Sequence, residues 1–242
     1  ISEKGSNYDK GYSSQFNFRV KKIYNPKLNF LKEVLKKKFS LLEIGSGAGH
    51  FIKACEKSNI KAKGYEINSN LVQLAKKNGV KNIFCESPKK INEVIKNNKS
   101  DVVCLISTLE HLEDPNFILK LIKQSKIKYL YTCIPLFSLS TFIENVFPNV
   151  YPRQLNASHT HLYTYKSIKY MTKKFKFKIL GEWWFGTDIS DFYRSVLLNS
   201  NYFDKEYIKY FNKLFGDHID DLQNVLDKKK LSCEVHLVLK VN

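Results

Sequence analysis

Three groups of residues in the 242-residue chain have types and spacing that could do chemistry. The first is Glu43-Ile44-Gly45-Ser46-Gly47-Ala48-Gly49, directly after the apolar stretch Phe39 to Ile44. Glycine at every second position lets the backbone turn tightly beside a ligand, and a helix opening there aims its free N–H groups at it. The second is Glu66, about 20 residues on, at the end of a strand-like segment, where a carboxylate can accept hydrogen bonds from both hydroxyls of a vicinal diol. The third is histidine: His111 in Glu110-His111, and His159 and His161 in Ser158-His159-Thr160-His161-Leu162-Tyr163. Imidazole titrates near neutrality, which suits proton transfer from an acceptor.

Each group has a plainer reading. Glu43 could cap locally or pair with a lysine, Glu66 could be solvated strand-end polarity, and His111 could hydrogen-bond backbone. His159 and His161 lie two apart, so in an extended segment they face the same way. They read as a base or substrate-orienting pair, or as hydrogen-bonded anchors of a lid. A metal is not expected, because a third ligand is not evident beside them. Trp183-Trp184-Phe185 with Asp188, Asp191 and Arg194 reads either as aromatic plates and polar groups for a sugar-like acceptor, or as an N-capping Asp188 with an Asp191–Arg194 surface pair. Tyr8, Tyr12, Tyr151, Tyr163, Phe192 and Tyr193 are expected around the same mouth.

The elements that must position these groups alternate. Apolar spacing predicts a helix from Lys27 to about Lys38 and a strand from Phe39 to Ile44. A helix from about Ala48 to Ser58, a strand Ala62 to Glu66 and a helix capped by Asn68 or Ser69 and stopped near Asn78-Gly79 follow. Next come a strand Lys81 to Cys85, a helix Pro88 to Lys96, a strand Asp101 to Ser107, a helix Pro115 to Lys123 and a strand Lys128 to Ile134. Strands alternating with helices imply a parallel sheet covered on both faces. Leu136 to Thr164 lacks a clean period and reads as a long functional loop or lid. A helix Lys166 to Lys174, a strand Lys176 to Phe185, a mostly helical stretch Gly186 to Lys230 and a last strand Ser232 to Val241 complete the pattern.

The glycine run departs from the dinucleotide fingerprint, because His50 stands where its last glycine would be and Glu43 would repel a pyrophosphate. Glu43 to Gly49 resembles instead the first motif of the class I S-adenosylmethionine-dependent methyltransferases, an acidic residue, a spacer and G-x-G-x-G. Gly64-Tyr65-Glu66-Ile67-Asn68 is similar to the family's ribose-binding strand end. Asp101 to Pro115, with Glu110-His111 and Asp114-Pro115, looks like the fourth-strand motif of its small-molecule, quinone and sugar subgroup. The resemblance implies S-adenosylmethionine as cofactor, held by Glu43, Gly45, Ser46, Gly47 and Gly49, with Glu66 and Ile67 at the ribose. It further implies Glu86 and Ser87 near the adenine, and Ser107, Thr108 and Leu109 beside the methionine portion. Cys85 stands where the family commonly has glycine. The fold implied is a Rossmann-like, doubly wound α/β domain whose seven-stranded sheet is mostly parallel, with helices on both faces and a helical insertion before the last strand. One domain over 1–242 is expected: an N-terminal lid or helix (1–38), a cofactor-binding half (39–135), a substrate-side loop and helical insertion (136–230) and the last strand (231–242).

Composition narrows the acceptor. Lys and Arg outnumber Asp and Glu 40 to 23, a net charge of +17, which invites a polyanion. Yet only Arg19, Arg153 and Arg194 are arginines, and arginine is the side chain suited to bidentate phosphate recognition. The lysines read chiefly as a solvated surface that attracts an anionic small molecule. The expected function is O-methylation of a small polar acceptor, such as a sugar or surface-glycan precursor. The alternative is an RNA or protein methyltransferase using the basic surface. Thr108-Leu109-Glu110-His111 stands where amino methyltransferases carry an Asn/Asp-Pro-Pro-aromatic tetrapeptide. Five cysteines, without a C-x-x-C pair, read as reduced thiols of a cytoplasmic protein. No stretch is long and apolar enough for a membrane span, and no secretory signal is seen, although the sequence starts at Ile1 and not at a methionine.

Overall fold

A computed structural model describes residues 15–147, 149–150, 152–155, 158–199 and 204–241; Tyr8, Tyr12 and Tyr151 lie outside them. The chain enters through a short helix α1 (Phe16–Arg19), a π-type widening at Val20–Tyr24 and α2 (Asn25–Leu35). It then alternates β1 (Leu41–Ile44), α3 (His50–Lys57), β2 (Ala62–Glu66), α4 (Ser69–Lys77), β3 (Ile83–Cys85), α5 (Pro88–Asn97), β4 (Val102–Ile106), α6 (Pro115–Gln124) and β5 (Tyr129–Pro135). Beyond β5 come α7 (Leu139–Val146), α8 (Tyr165–Lys174), β6 (Lys178–Phe185), α9 (Asp188–Asn199), α10 (Lys205–Leu214), α11 (Ile219–Lys228) and β7 (Glu234–Lys240). Proline opens α5 and α6 at a position where its missing N–H costs nothing, while Ser87 and Asp114 cap them. Asn68 caps α4 through its side-chain oxygen.

The seven strands form one sheet in the order β3-β2-β1-β4-β5-β7-β6. The first five are parallel, and β7 runs antiparallel between β5 and β6. Alternate strand residues serve opposite faces. Leu42, Val103, Leu105 and Leu130 meet α5, α6 and α8, while Leu41, Val102, Cys104 and Tyr131 meet α2, α3 and α4. Strands buried on both sides read as continuous apolar runs, which is why their order along the chain was legible.

Two departures from the sequence reading concern the entry helices and the segment after β5. Among the described residues the first helical segment begins at Phe16, ahead of the expected Lys27, and Phe16, Val20, Leu28 and Leu31 are buried in the face that carries α3 and α4. The stretch Leu136 to Thr164 also holds a helix, α7, opened by a capping box between Ser138 and Thr141. Leu139, Phe142, Ile143 and Val146 do recur at helical spacing, but three of the four are exposed, so the period marks no core face.

Gly64 is a packing constraint, since a Cβ there would meet Ser46 Oγ at 2.6 Å and Ile52 at 2.8 Å. Gly64→Ala is expected to lower stability by about 1–3 kcal/mol, measured by urea denaturation; an unchanged midpoint would show the strand has slack. His50 is buried between Phe16 and Tyr24, with ring centroids 4.5 and 5.1 Å away. Burial, with the Arg19 charge in second place, pushes its pKa down to about 4. The unfolded chain therefore binds that proton first, and the stabilisation is present above pH ~6.5 and is lost as pH falls towards 4. Stability measured across that window should fall less steeply in His50→Phe, by on the order of 2 kcal/mol. Parallel curves would contradict the assignment.

Candidate active site

Strand order reverses between β1 and β4, so the loops leaving their carboxyl ends diverge and open a crevice. A cleft of about 410 Å³ lies there. Its walls include Ile44, Gly45, Glu66, Ile67, Leu71, Pro88, Ile91, Asn92, Leu105, Ser107, Thr108, His111, Leu112 and Ile118. The glycine turn after β1 is fixed by Gly45 N and Ser46 N, which both donate to Tyr65 O at 2.9 and 3.1 Å. Gly45, Gly47 and Gly49 all have positive φ. At Gly45 a Cβ would also meet Thr108 Oγ1 at 2.6 Å, whereas beside Gly47 it would meet nothing within 4 Å. Gly47 therefore faces open space on a backbone conformation that favours glycine, as close approach to a ligand requires.

Glu66 ends β2 with its carboxylate on the cleft. Oε2 accepts from Gly47 N at 2.7 Å, and Oε1 accepts from Ile67 N at 2.8 Å and Asn68 N at 3.0 Å. Three of about four lone-pair positions are thus engaged. A diol would take the fourth and share one with a backbone N–H. Glu43, two residues before the turn, is buried, and its Oε2 has no hydrogen-bond partner among the described residues. Burial, then the Glu66 charge, raises its pKa to about 8, so at neutral pH it is chiefly a proton donor.

Other expected cofactor residues divide. Ile67, Ser107 and Thr108 line the cleft with Gly45 and Glu66. Ser107 leaves β4 with φ 48, a left-handed conformation that a serine adopts only when its surroundings demand it. Its N–H donates to Cys133 O at 3.2 Å. Thr108 Oγ1 donates to Ile44 O at 3.2 Å and Ile106 O at 3.1 Å, locking the ends of β1 and β4 together. Ser46 donates to Tyr65 O, and Ser87 caps α5. Leu109 is fully buried in the core, and Glu86, half-buried, gives its N–H to Glu66 O. None of these four is among the cleft-lining residues. Asn92, the sole amide side chain among the described residues lining the cleft, and the apolar Leu71, Pro88, Ile91, Leu112 and Ile118 were missed. They come from helix faces and loops whose approach to the cleft no motif announces.

The histidines part company. The turn after β4 is strapped to the segment 158–161: Thr160 N and Oγ1 both donate to Glu110 O at 2.8 Å, and Oγ1 also reaches Leu112 O at 2.9 Å. This brings His159 onto His111, ring centroids 4.8 Å apart and edge-on. His161 turns away, with Nδ1 2.9 Å from Thr160 Oγ1 and its ring 6.1 Å from Tyr163. The expected same-facing pair is therefore replaced by His111 with His159. His111 Nδ1 lies 2.9 Å from Ser158 O and His159 Nδ1 3.1 Å from Gln154 O. Carbonyls only accept, so both Nδ1 atoms carry the proton, and in the neutral imidazole it is Nε2 that offers the lone pair. Glu110 sits beneath them, 1% exposed, and Oε2 has no hydrogen-bond partner among the described residues. Burial raises its pKa to about 8.

A second buried polar group flanks the same sheet edge. Glu234, the first residue of β7, pairs with Pro135 at the end of β5. It receives Lys27 Nζ at 3.5 Å and lies 2.7 Å from His236 Nε2, and His236 Nδ1 meets Tyr131 OH at 2.9 Å. Burial opposes ionisation of both Lys27 and Glu234, but their mutual attraction wins and keeps the pair charged. Asp188 and Asp191, by contrast, are buried. Asp188 accepts from Ser138 Oγ at 2.7 Å, Ser140 N at 3.0 Å and Cys233 N at 2.8 Å, while Asp191 pairs with Arg153 and Arg194. They tie α7, α9 and β7 together and are not exposed groups beside aromatic plates.

Known proteins agree with this architecture. A family model described as a methyltransferase domain matches residues 16–182, and no curated protein matches in sequence. A S-adenosylmethionine-dependent methyltransferase from Archaeoglobus fulgidus superposes with TM-score 0.57 at 18% identity, over 93% of this chain and 98% of its own. A possible histamine N-methyltransferase from Thermotoga maritima gives 0.56 at 16% identity, over 99% and 97%. Magnesium protoporphyrin IX methyltransferase from Synechocystis, solved with S-adenosylhomocysteine, gives 0.52 at 12% identity, over 68% and 78%. With its family motif matched over most of its length and the fold to go with it, the chain belongs to the methyltransferase-domain family and is a class I enzyme dependent on S-adenosylmethionine.

Proposed function

We propose that the protein O-methylates a small polar acceptor bearing hydroxyl groups, with a sugar or surface-glycan precursor as the class to test first. The observation that carries this reading is the convergence of the His111 and His159 imidazoles and the Glu110 carboxyl at the end of β4, on the cleft that His111 lines. S-adenosylmethionine supplies an electrophilic methyl group. Open space at Gly47, the Glu66 carboxylate and the cleft's apolar wall fit its glycine-turn contact, ribose and adenine respectively. Asn92 is placed to give the adenine edge an amide partner.

The rest is positioning. Holding the acceptor oxygen in line with the methyl can supply on the order of 7–11 kcal/mol of the barrier. The oxygen–methyl bond forms as the sulfur keeps the electron pair of the old bond, and the hydroxyl proton must leave the acceptor. Within the Glu110, His111 and His159 cluster, the imidazoles are the groups that draw that proton away. Ser107 and Thr108 shape the wall beside it, and Thr160 holds the 158–161 segment over the site. The +17 net charge favours an acceptor that carries phosphate.

Glu66→Ala is expected to weaken S-adenosylhomocysteine binding roughly 10- to 100-fold by calorimetry, because hydrogen bonds to a charged acceptor are lost. Unchanged affinity would remove Glu66 from the site. His159→Asn is expected to reduce turnover at least about tenfold with cofactor affinity shifted less than about threefold, and equal turnover would return His159 to a structural role. The turnover assay uses a panel of nucleotide-linked and phosphorylated sugars beside RNA and protein, read by release of S-adenosylhomocysteine. Turnover of RNA or protein alone would overturn the acceptor class.

A further inference from the structure

We propose that Glu110, His111 and His159 form a binding site for one divalent transition-metal ion, of the zinc, manganese, iron or cobalt kind, at the acceptor end of the cleft. It deepens the methyl-transfer reading and rests on it for its purpose, though not for its test. One ligand atom from each of the three residues lies within 4.8 Å of the others, and His111 Nε2 is 3.9 Å from Glu110 Oε1. Ligands about 2.0–2.2 Å from a shared ion are at most roughly 4.4 Å apart. Side-chain rotation that moves atoms by less than about 1 Å closes the set.

Three independent features separate this cluster from a chance meeting of polar side chains. Both imidazoles give their Nδ1 proton to a backbone carbonyl, Ser158 O for His111 and Gln154 O for His159. That is the outer hydrogen bond that orients a ligating histidine and leaves Nε2 bare for the ion. Glu110 is 1% exposed with Oε2 unpartnered among the described residues, and such a buried oxygen asks for a cation or a donor. The segment carrying His159 is strapped to the turn carrying Glu110 and His111 by the Thr160 hydrogen bonds, so ligands remote in sequence are held together by backbone.

The cluster Cys133, Glu234 and His236 also brings three ligand types together. It is not a comparable site, because the Lys27 ammonium already stands 3.5 Å from Glu234 as its cation. Two imidazole nitrogens and one carboxylate suit first-row transition ions better than magnesium or calcium, which prefer oxygen. Three protein ligands leave coordination positions open, and His111 is part of the cleft wall. An acceptor hydroxyl bound at an open position would lose its proton to solvent water more readily, as zinc-bound water does, while the three cluster side chains serve as ligands. The ion thus states how the cluster activates the acceptor.

The test is metal stoichiometry on the full chain, stripped with chelator and titrated with cobalt(II), read by the visible spectrum of the bound ion and by elemental analysis. About one equivalent is expected, with binding weakened at least about tenfold in Glu110→Gln and in His159→Asn and unchanged in His161→Asn. S-adenosylhomocysteine affinity serves as the check that each variant is folded. A wild-type chain that binds no stoichiometric cobalt(II), zinc(II) or manganese(II), or binding undiminished in both variants, overturns the site. Loss of the metal site with methyl transfer intact would leave the function standing, whereas a bound metal with no acceptor turned over would sink the acceptor reading instead.

Discussion

The close approach of the first and fourth strand ends is the constraint on which the rest depends. Thr108 Oγ1 bonds to Ile44 O across that junction, and Gly45 is so near that any Cβ would collide with the Thr108 hydroxyl. Because strand order reverses here, the two loops that leave the junction go opposite ways. One becomes the glycine turn that packs against Glu66. The other becomes the Ser107 to Leu112 turn that carries the histidine cluster. Cofactor side and acceptor side are therefore two lips of one crevice, and their separation is set by backbone.

Electrostatics sharpen that division. On the cofactor side, Glu66 spends most of its hydrogen-bonding capacity on backbone N–H groups, which pre-orders the carboxylate before any ligand arrives. Its neighbour Glu43 is kept chiefly protonated by burial and by that charge. Across the cleft, Glu110 is buried beside two imidazoles, its Oε2 without a hydrogen-bond partner among the described residues. Farther along the edge, Lys27 and Glu234 neutralise each other, with Lys27 supplied by α2. A net charge of +17 describes none of this. The groups that shape the chemistry are mostly acidic and out of solvent.

Much of the fold could be read from the sequence because strands buried on both faces are apolar throughout, and caps such as Asn68 and Asp114 mark the helices. The glycine turn and Glu66 were legible for a similar reason, since backbone geometry and diol recognition restrict residue type. What could not be read was set by tertiary contact. The entry helices need Phe16 and Val20 to bury against α3, which local period does not reveal. Helix α7 exposes most of its apolar residues. The partnership of His111 with His159 spans 48 residues of chain and exists only because Thr160 anchors one segment on the other. Spacing alone had joined His159 to His161, whereas the carboxyl that the fold brings to His111 and His159 is Glu110, already adjacent to His111 in sequence.

A crystal structure of the wild-type chain soaked with S-adenosylhomocysteine tests the account most directly. The ribose hydroxyls should lie within hydrogen-bond distance of the Glu66 carboxylate, the adenine against Ile67 and Ile91, and the sulfur beside Ser107 and Thr108, facing the His111–His159 pair. A ligand bound elsewhere, or a cleft left without it at saturating concentration, would contradict the account.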